Sequence, residues 1–161
     1  FAGLNGQEAG SSIIIAAALW FLSIRLAKPI GSMLILPFLG ALIAFLFYNS
    51  YPSRVFPGDI GTFGMGTVIA CAAVLADLER AVFIMFIPHT INAILFFIGK
   101  LKGETPPREA SMNPDGTLPA PSMWSLRSLI LRLHPMNEKT AIVVMLLTVA
   151  VFALAGTLAY G

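Results

Sequence analysis

Asp59 is the residue of this sequence whose surroundings best suit chemistry. It lies in a polar segment, residues 49–61, between two strongly apolar stretches, and Gly58 and Gly61 flank it. A carboxylate is a preferred ligand of Mg²⁺, which needs few protein ligands when substrate phosphates supply the others, and glycines let the backbone approach a phosphate closely. The pattern predicts a Mg²⁺–diphosphate site. It also fits a helix N-cap at Asp59, and the two hypotheses are compatible because a helix N-terminus attracts phosphate.

Asn5 is a second residue that could belong to a functional site. It lies between Gly3 and Gly6, in a turn ahead of the first apolar stretch. The two glycines predict a tight turn that exposes the side-chain amide, which can both donate and accept hydrogen bonds. Glu8 follows near the start of a predicted helix, where the helix dipole favours a carboxylate. An ordinary capping turn explains the same residues, so both readings of Asn5 stay open on this pattern alone.

The composition indicates an integral membrane protein. Of the 161 residues, 57% are hydrophobic and 11% are charged, and the mean hydropathy is +0.84. Soluble domains average about 45–50% apolar and about 25% charged residues. The net charge is only +2 and no basic run occurs, so no nucleic-acid partner is expected. Cys71 is the single cysteine, so the sequence contains no disulfide framework.

Five apolar segments each approach the roughly 20 residues that cross a bilayer as a helix. They are residues 11–27, 31–48, 62–78, 81–99 and 140–160. We therefore expect an all-α integral membrane fold, a single membrane domain over residues 1–161 with about five transmembrane helices. The loops 49–61 and 100–139 then lie on one side of the membrane with most of the Lys and Arg residues. The positive-inside rule places that side in the cytoplasm.

The long loop, residues 100–139, divides into two parts. Residues 103–121 are rich in proline and contain the turn signal Asn113-Pro114-Asp115-Gly116, which predicts a small hairpin. Residues 122–134 place leucine and isoleucine on one helical face, which predicts an amphipathic helix lying in the membrane interface. A helix packed on its own protein explains that face equally well.

Several motifs along the chain form a recognisable set. They are Asn5-Gly6 with Glu8-Ala9-Gly10, then Tyr51-Pro52-Ser53-Arg54-Val55-Phe56 with Gly58-Asp59, then Phe86-Ile87-Pro88 with Asn92, and more loosely Arg108, Asn113, Gly116, Leu118, His134-Pro135 and Glu138. Together they resemble the polyprenyl-phosphate N-acetylhexosamine-1-phosphate transferases, and most of all their archaeal and eukaryotic dolichyl-phosphate N-acetylglucosamine-1-phosphotransferase branch. Bacterial members usually show Asp-Gly-Leu/Ile-Asp-Gly where this chain has Ala2-Gly3-Leu4-Asn5-Gly6.

The resemblance implies a fold of ten transmembrane helices, of which this chain would supply the last five. It implies that Asp59 binds Mg²⁺ and acts in catalysis, and that Phe56 stacks on uracil. It also implies that Asn5 lies near the nucleotide and that Arg108 contacts the sugar-phosphate. The family often has two basic residues there, with a histidine between them, whereas this chain matches one. Further metal-binding and acidic residues of the family would lie upstream of Phe1, so we expect the 161-residue chain alone to be inactive.

The implied reaction transfers N-acetylglucosamine-1-phosphate from UDP-GlcNAc to a polyprenyl or dolichyl phosphate and releases UMP, as the first step of lipid-linked glycan assembly. The expected cofactor is Mg²⁺, and the expected partners are the two substrates and membrane lipids. The oligomeric state is open, a homodimer included. The active face would be cytoplasmic, on the plasma membrane of an archaeon or bacterium or the endoplasmic reticulum of a eukaryote. A transporter or a non-catalytic membrane subunit of the same fold is the alternative, and Mg²⁺-dependent UMP release separates the hypotheses.

Overall fold

The computed structural model describes residues 3–104, 117–118 and 123–160, and the regular structure in these ranges is α-helical. The helices, in chain order, are α1 (Gln7–Arg25), α2 (Pro29–Asn49), α3 (Gly58–Leu75), α4 (Glu79–Met85), α5 (Ile87–Leu101), α6 (Leu126–Leu133) and α7 (Glu138–Leu158). The predicted hairpin at residues 113–116 and the candidate residue Arg108 lie outside the described residues.

Helices α1, α2, α3 and α7 are each long and apolar enough to cross a membrane, with mean hydropathies from 1.4 to 2.6. Helices α4 and α5 pass the same criterion only as a pair, so the described residues provide four spans, or five if the pair forms one. This confirms the prediction of an all-α membrane protein with about five transmembrane helices.

The fourth predicted segment, residues 81–99, differs from a single straight span. The chain bends by 58° between α4 and α5. Pro88 lies in the first turn of α5, where its missing N–H and its ring prevent the α4 hydrogen-bond ladder from continuing. Pro37 has a different outcome, because α2 continues unbroken around it.

Helix α1 lies at the centre of the packing, in contact with α2, α3, α4 and α7. It contributes four of the most deeply buried apolar side chains, namely Ile15, Ala16, Leu19 and Leu22. Helix α7 crosses α4 closely at Gly156, where an added Cβ would come within 2.8 Å of the backbone oxygen of Ala81. Small residues let helices approach in this way inside a membrane.

The polar motifs gather at one end of the helices, which we call the polar end. It consists of the turn at residues 3–6, the loop at residues 50–57, helix α6 and the start of α7. Hydrogen bonds join the turn to the loop and to α7, and α6 packs on the turn and on α7 through Leu131. At the opposite end, the Lys28 ammonium and the Asp77 carboxylate form an exposed ion pair at 2.7 Å.

Helix α6 packs on the rest of the chain. Ser125 caps it by accepting a hydrogen bond from the N–H of Ser128, and its Leu131 is 2% exposed in a small apolar cluster with Leu4, Leu118 and Ala141. The N–H of Leu126 donates to the side-chain oxygen of Asn92 in α5 at 3.0 Å. Of the two predictions for this helix, a position in the membrane interface or packing on its own protein, the second explains why Leu131 is buried.

Candidate functional site

Asp59 lies in the first turn of α3 and is exposed. The N-cap position of this helix is Pro57, and no side chain caps it, so the hypothesis of an N-cap at Asp59 is wrong. Gly58 begins the helix at a φ of 60°, a left-handed conformation that suits glycine. Among the residues that the structure describes, none forms a hydrogen bond or ion pair with the Asp59 carboxylate. The carboxylate is therefore available to a ligand from solution.

Phe56 lies three residues before Asp59 in the loop at residues 50–57, and its side chain is 57% exposed. The loop is held on the end of α2. The N–H of Arg54 donates to the Tyr48 oxygen at 2.8 Å, and the Asn49 amide donates to the Val55 oxygen at 2.8 Å. Asn49 is fully buried. A loop held by hydrogen bonds thus presents a large aromatic ring to solvent beside the start of α3.

The turn that carries Asn5 packs directly against the end of α2. Gly6 has a φ of 71°, and a Cβ there would meet the Asn49 oxygen at 3.4 Å and the Leu46 side chain at 3.3 Å. A larger residue would be strained by both its conformation and its neighbours. Gly6 therefore brings Asn5 alongside the loop that follows α2.

Asn5 joins the loop to the start of α7. Its Oδ1 accepts a hydrogen bond from the N–H of Ser53 at 3.1 Å. Its backbone N–H donates to Glu138 Oε1 at 3.2 Å, and its Nδ2 donates to the same oxygen through a short hydrogen bond. We call Asn5, Ser53 and Glu138 the Asn5 clasp. Asn5 is half-buried, so a ligand can still reach part of its amide.

Charged side chains surround the α7 end of the clasp. Asn137 caps α7 by accepting a hydrogen bond from Thr140 N at 2.9 Å, and Glu138 lies in the first turn. Burial lowers the pKa of the Arg127 guanidinium from its ordinary value, and the Glu138 carboxylate opposes that shift. The Lys139 ammonium lies 4.9 Å from the centre of the Tyr51 ring, a cation–π contact that ties the loop to α7 a second time.

A cavity of about 250 Å³ lies between α1, α3 and the α4–α5 bend, and we call it the polar cavity because half of its lining residues are polar or charged. Glu8, Ser11, Ser12, Thr62 and His89 supply its polar lining. One carboxylate oxygen of Glu8 accepts from Gly3 N at 3.1 Å, whereas the other is buried without a hydrogen-bond partner in the described part of the chain.

Helix geometry places Asp59 just beyond this cavity, whose lining does not include it. It precedes Thr62 by three residues on α3, so the two side chains share a helix face and are about 4.5 Å apart along the axis. Because Thr62 lines the cavity, Asp59 is one turn closer to the polar end. A cationic or phosphate-bearing ligand at Asp59 would therefore border a pocket with several hydroxyl groups.

An apolar groove of about 330 Å³ continues from the cavity toward the opposite end. Gly66 and Phe86 line both spaces, and the groove runs between α3 and α4 past Ala70, Ala73 and Phe83. The polar cavity and the apolar groove together form a path that is lined partly by polar side chains at the cavity and almost entirely by apolar ones along the groove.

The structure brings Asn5, Phe56 and Asp59 to the same end of the molecule, as the sequence predicted, and it leaves Arg108 undescribed. Sequence reasoning missed the partners of Asn5. The sequence indicated Glu138 only as part of a motif. Yet Glu138, like Asp59, is a carboxylate at the edge of an apolar segment, and that signal could have identified it. Asn49, fully buried at the end of α2, gave no comparable signal.

Comparison with known proteins supports the resemblance of the motifs. Residues 1–77 match the family described as glycosyl transferase family 4. The UDP-N-acetylglucosamine–dolichyl-phosphate N-acetylglucosaminephosphotransferase of Dictyostelium discoideum is 32% identical, over 91% of this chain and 42% of the relative. The enzyme of that name from Saccharomyces cerevisiae is 33% identical, over 58% of this chain and 23% of its own length. A phospho-N-acetylmuramoyl-pentapeptide-transferase of Bacteroides thetaiotaomicron is 36% identical, over 63% and 29% respectively.

The chain spans less than half the length of each of these relatives. The region that matches the family contains Asn5, Phe56 and Asp59, and the Dictyostelium relative matches along nearly all of the chain. Residues 1–77 of the chain therefore match glycosyl transferase family 4, and the chain is similar along nearly all of its length to a relative named as a dolichyl-phosphate N-acetylglucosaminephosphotransferase.

Proposed function

We propose that this chain forms part of the active site of an enzyme that transfers N-acetylglucosamine-1-phosphate from UDP-GlcNAc to a polyprenyl or dolichyl phosphate. A phosphate oxygen of the lipid forms a bond to the β-phosphorus of UDP-GlcNAc. The bond from that phosphorus to the bridging oxygen breaks, and UMP leaves with the electron pair. The product is a polyprenyl-diphospho-sugar, and no oxidant or reductant is needed.

The observation that carries this proposal is the exposed Asp59 carboxylate, which lies about one helical turn from Thr62 in the lining of the polar cavity. Both substrates are anionic, so a site for them needs positive charge at the reacting phosphates. Asp59 has no protein partner among the described residues that would compete for a cation. Relatives that match this region carry the name of the same reaction.

Mg²⁺ is the cation that suits this donor set. No group of three or more His, Cys, Asp or Glu side chains forms within the ranges that the structure describes. Mg²⁺ does not require one, because it binds through one or two carboxylates and completes its shell with water and substrate phosphate. Asp59 would hold it, and the ion when bound neutralises charge on the diphosphate.

The remaining site residues bind and orient the substrates in this proposal. Phe56 presents its exposed ring to the uracil base. Asn5 offers its half-buried amide to the nucleotide from the adjacent turn. Arg108 contacts the sugar-phosphate from the long loop. The polar end faces the cytoplasm, where UDP-sugars are supplied.

The apolar groove between α3 and α4 suits the lipid substrate. Its lining is almost entirely apolar, and it begins where the polar cavity ends, at Gly66 and Phe86. A polyprenyl phosphate can place its phosphate near Asp59 while its chain stays among apolar side chains and lipid. The phosphate then reaches UDP-GlcNAc without the tail leaving the membrane.

The test uses the full-length protein in detergent with radiolabelled UDP-GlcNAc and dolichyl phosphate. We expect labelled sugar-phosphate in the lipid product, equimolar UMP, and loss of both on chelation of Mg²⁺. A transporter or a non-catalytic subunit would release no UMP, and that result would contradict the proposal.

A pair of matched variants locates the chemistry. Asp59→Asn should lower turnover by more than about 100-fold, because a neutral amide holds Mg²⁺ poorly. Asp77→Asn replaces another exposed aspartate at the opposite end of α3 and should retain activity. Equal activity of the two variants would show that Asp59 is not part of the active site.

A further inference from the structure

We infer that Glu138 is a positioning residue that fixes the orientation of the Asn5 amide and holds the loop at residues 50–57, and thereby sets the selectivity of the site for uridine. The inference rests on the proposed function for the identity of the nucleotide. Its structural part, the closure of the loop by the Asn5 clasp, is independent of any reaction.

The direction of the Asn5 amide follows from hydrogen-bond chemistry. An ionised carboxylate only accepts hydrogen bonds. Glu138 Oε1, which receives both the backbone N–H and Nδ2 of Asn5, therefore requires the NH₂ group on its side. The amide oxygen is then turned toward the loop, where the N–H of Ser53 needs an acceptor at 3.1 Å. Reversal of the amide would place two oxygens together and two donors together.

The fixed amide still has binding capacity. An asparagine side chain offers two N–H groups and two oxygen lone pairs, and the clasp uses one of each. The remaining donor and acceptor match the edge of uracil, which presents a carbonyl oxygen next to an N–H. Cytosine presents the reverse order, an amino group next to a ring nitrogen that accepts. An amide held in one orientation can therefore prefer uracil, whereas one free to turn accepts either base.

The clasp is also placed to control Phe56. It bonds to the backbone of Ser53, three residues before Phe56, and the Lys139–Tyr51 contact attaches the start of the same loop to α7. The other end of the loop is bound to α2 through Asn49. Loss of the Glu138 carboxylate should thus affect the aromatic ring and the amide together, although Glu138 itself need not touch the nucleotide.

The first experiment measures hydrogen exchange of the peptide covering residues 50–57 in the full-length protein. Asn5→Asp places two carboxylates against each other and should accelerate exchange of this peptide roughly tenfold, the scale of one lost charge-assisted hydrogen bond. Asn5→Asp combined with Glu138→Gln restores one donor facing one acceptor and should return exchange to near the wild-type rate. Glu79→Gln, an acidic residue in the first turn of α4 at the opposite end, is the control and should leave the peptide unchanged.

The second experiment measures inhibition by UMP and by CMP. Glu138→Gln can face either end of the Asn5 amide and leaves the Ser53 N–H as the other group in the clasp that opposes its reversal, so the preference for UMP over CMP should fall several-fold while turnover falls less. The double variant should regain loop protection but not UMP affinity, because an aspartate has no N–H to offer the base. This separates positioning from direct contact.

Unchanged exchange of the 50–57 peptide in Asn5→Asp, or no recovery in the double variant, would overturn the clasp. If the exchange results are as expected but Glu138→Gln keeps the wild-type preference for UMP over CMP, the inference that Glu138 sets nucleotide selectivity is overturned. If the wild-type protein binds neither nucleotide, the proposed function fails, while the exchange data still decide whether the clasp holds the loop.

Discussion

Removal of the Phe56 ring should weaken nucleotide binding with little effect on folding. The side chain is 57% exposed, and full burial of a phenylalanine contributes roughly 1.5–3 kcal/mol, so Phe56→Ala should lower stability by about 1 kcal/mol or less. Loss of one base–aromatic stack should lower nucleotide affinity by ~1–3 kcal/mol.

Whether KM or kcat changes depends on whether the stack is present in the ground state, the transition state or both. The base is bound equally in the ground state and the transition state, because it lies away from the reacting phosphates, so its loss raises KM and leaves kcat nearly unchanged. The energy above corresponds to a rise in KM for UDP-GlcNAc of about 5- to 150-fold. The KM for dolichyl phosphate should not change.

The assay is initial-rate transfer of radiolabelled sugar-phosphate by the full-length protein, with each substrate varied at saturation of the other. Phe63→Ala is the matched control, because Phe63 is also a phenylalanine, is 75% exposed and lies in α3. A normal KM for UDP-GlcNAc with a raised KM for the lipid would refute the reasoning and assign Phe56 to the lipid.

Three further predictions concern packing, the lipid path and topology. Gly156→Leu should destabilise the protein by ~1–3 kcal/mol or more, because a Cβ would lie 2.8 Å from a backbone oxygen of α4, whereas Gly40→Leu, with open space around its Cβ, should leave the thermal midpoint in detergent nearly unchanged. Gly66→Leu should raise the KM for dolichyl phosphate more than that for UDP-GlcNAc, since Gly66 lies where the cavity meets the groove; an unchanged lipid KM would contradict this path. In a protein without its native cysteine, a cysteine at Arg54 should react with an impermeant maleimide only from the cytoplasmic side and one at Arg80 only from the other side; the reverse pattern would invert the proposed orientation.

Local features of the fold were predictable because neighbouring residues determine them. Apolar segments of nearly 20 residues define the helices that cross the membrane. The polar loop before α3 was recognisable for the same reason, since the scarcity of charge made Asp59 conspicuous. The bend at Pro88 was less predictable. Proline at Pro37 is accommodated in a continuous helix, so the residue type alone does not decide whether a helix breaks.

The surroundings of Asn5 could not be derived from the sequence, because they depend on contacts between distant segments. The glycines around Asn5 predicted a turn. A turn does not reveal that the Asn5 amide donates a hydrogen bond to Glu138, which lies 133 positions away in the sequence. The capping interpretation and the binding interpretation of Asn5 both lacked this partner. Tertiary packing of α7 on α1 supplies it.

The separation of 133 positions between Asn5 and Glu138 also orders events during synthesis. Asn5 leaves the ribosome first, and at roughly 5–20 residues per second its carboxylate partner follows about 7–27 s later. Helices α1 to α5 can enter the membrane during this interval, but the loop at residues 50–57 has no Glu138 to close on. Insertion of α7 is therefore the step that completes the Asn5 clasp, and a nascent chain that stalls before α7 would be a membrane-embedded protein whose loop at residues 50–57 lacks this contact.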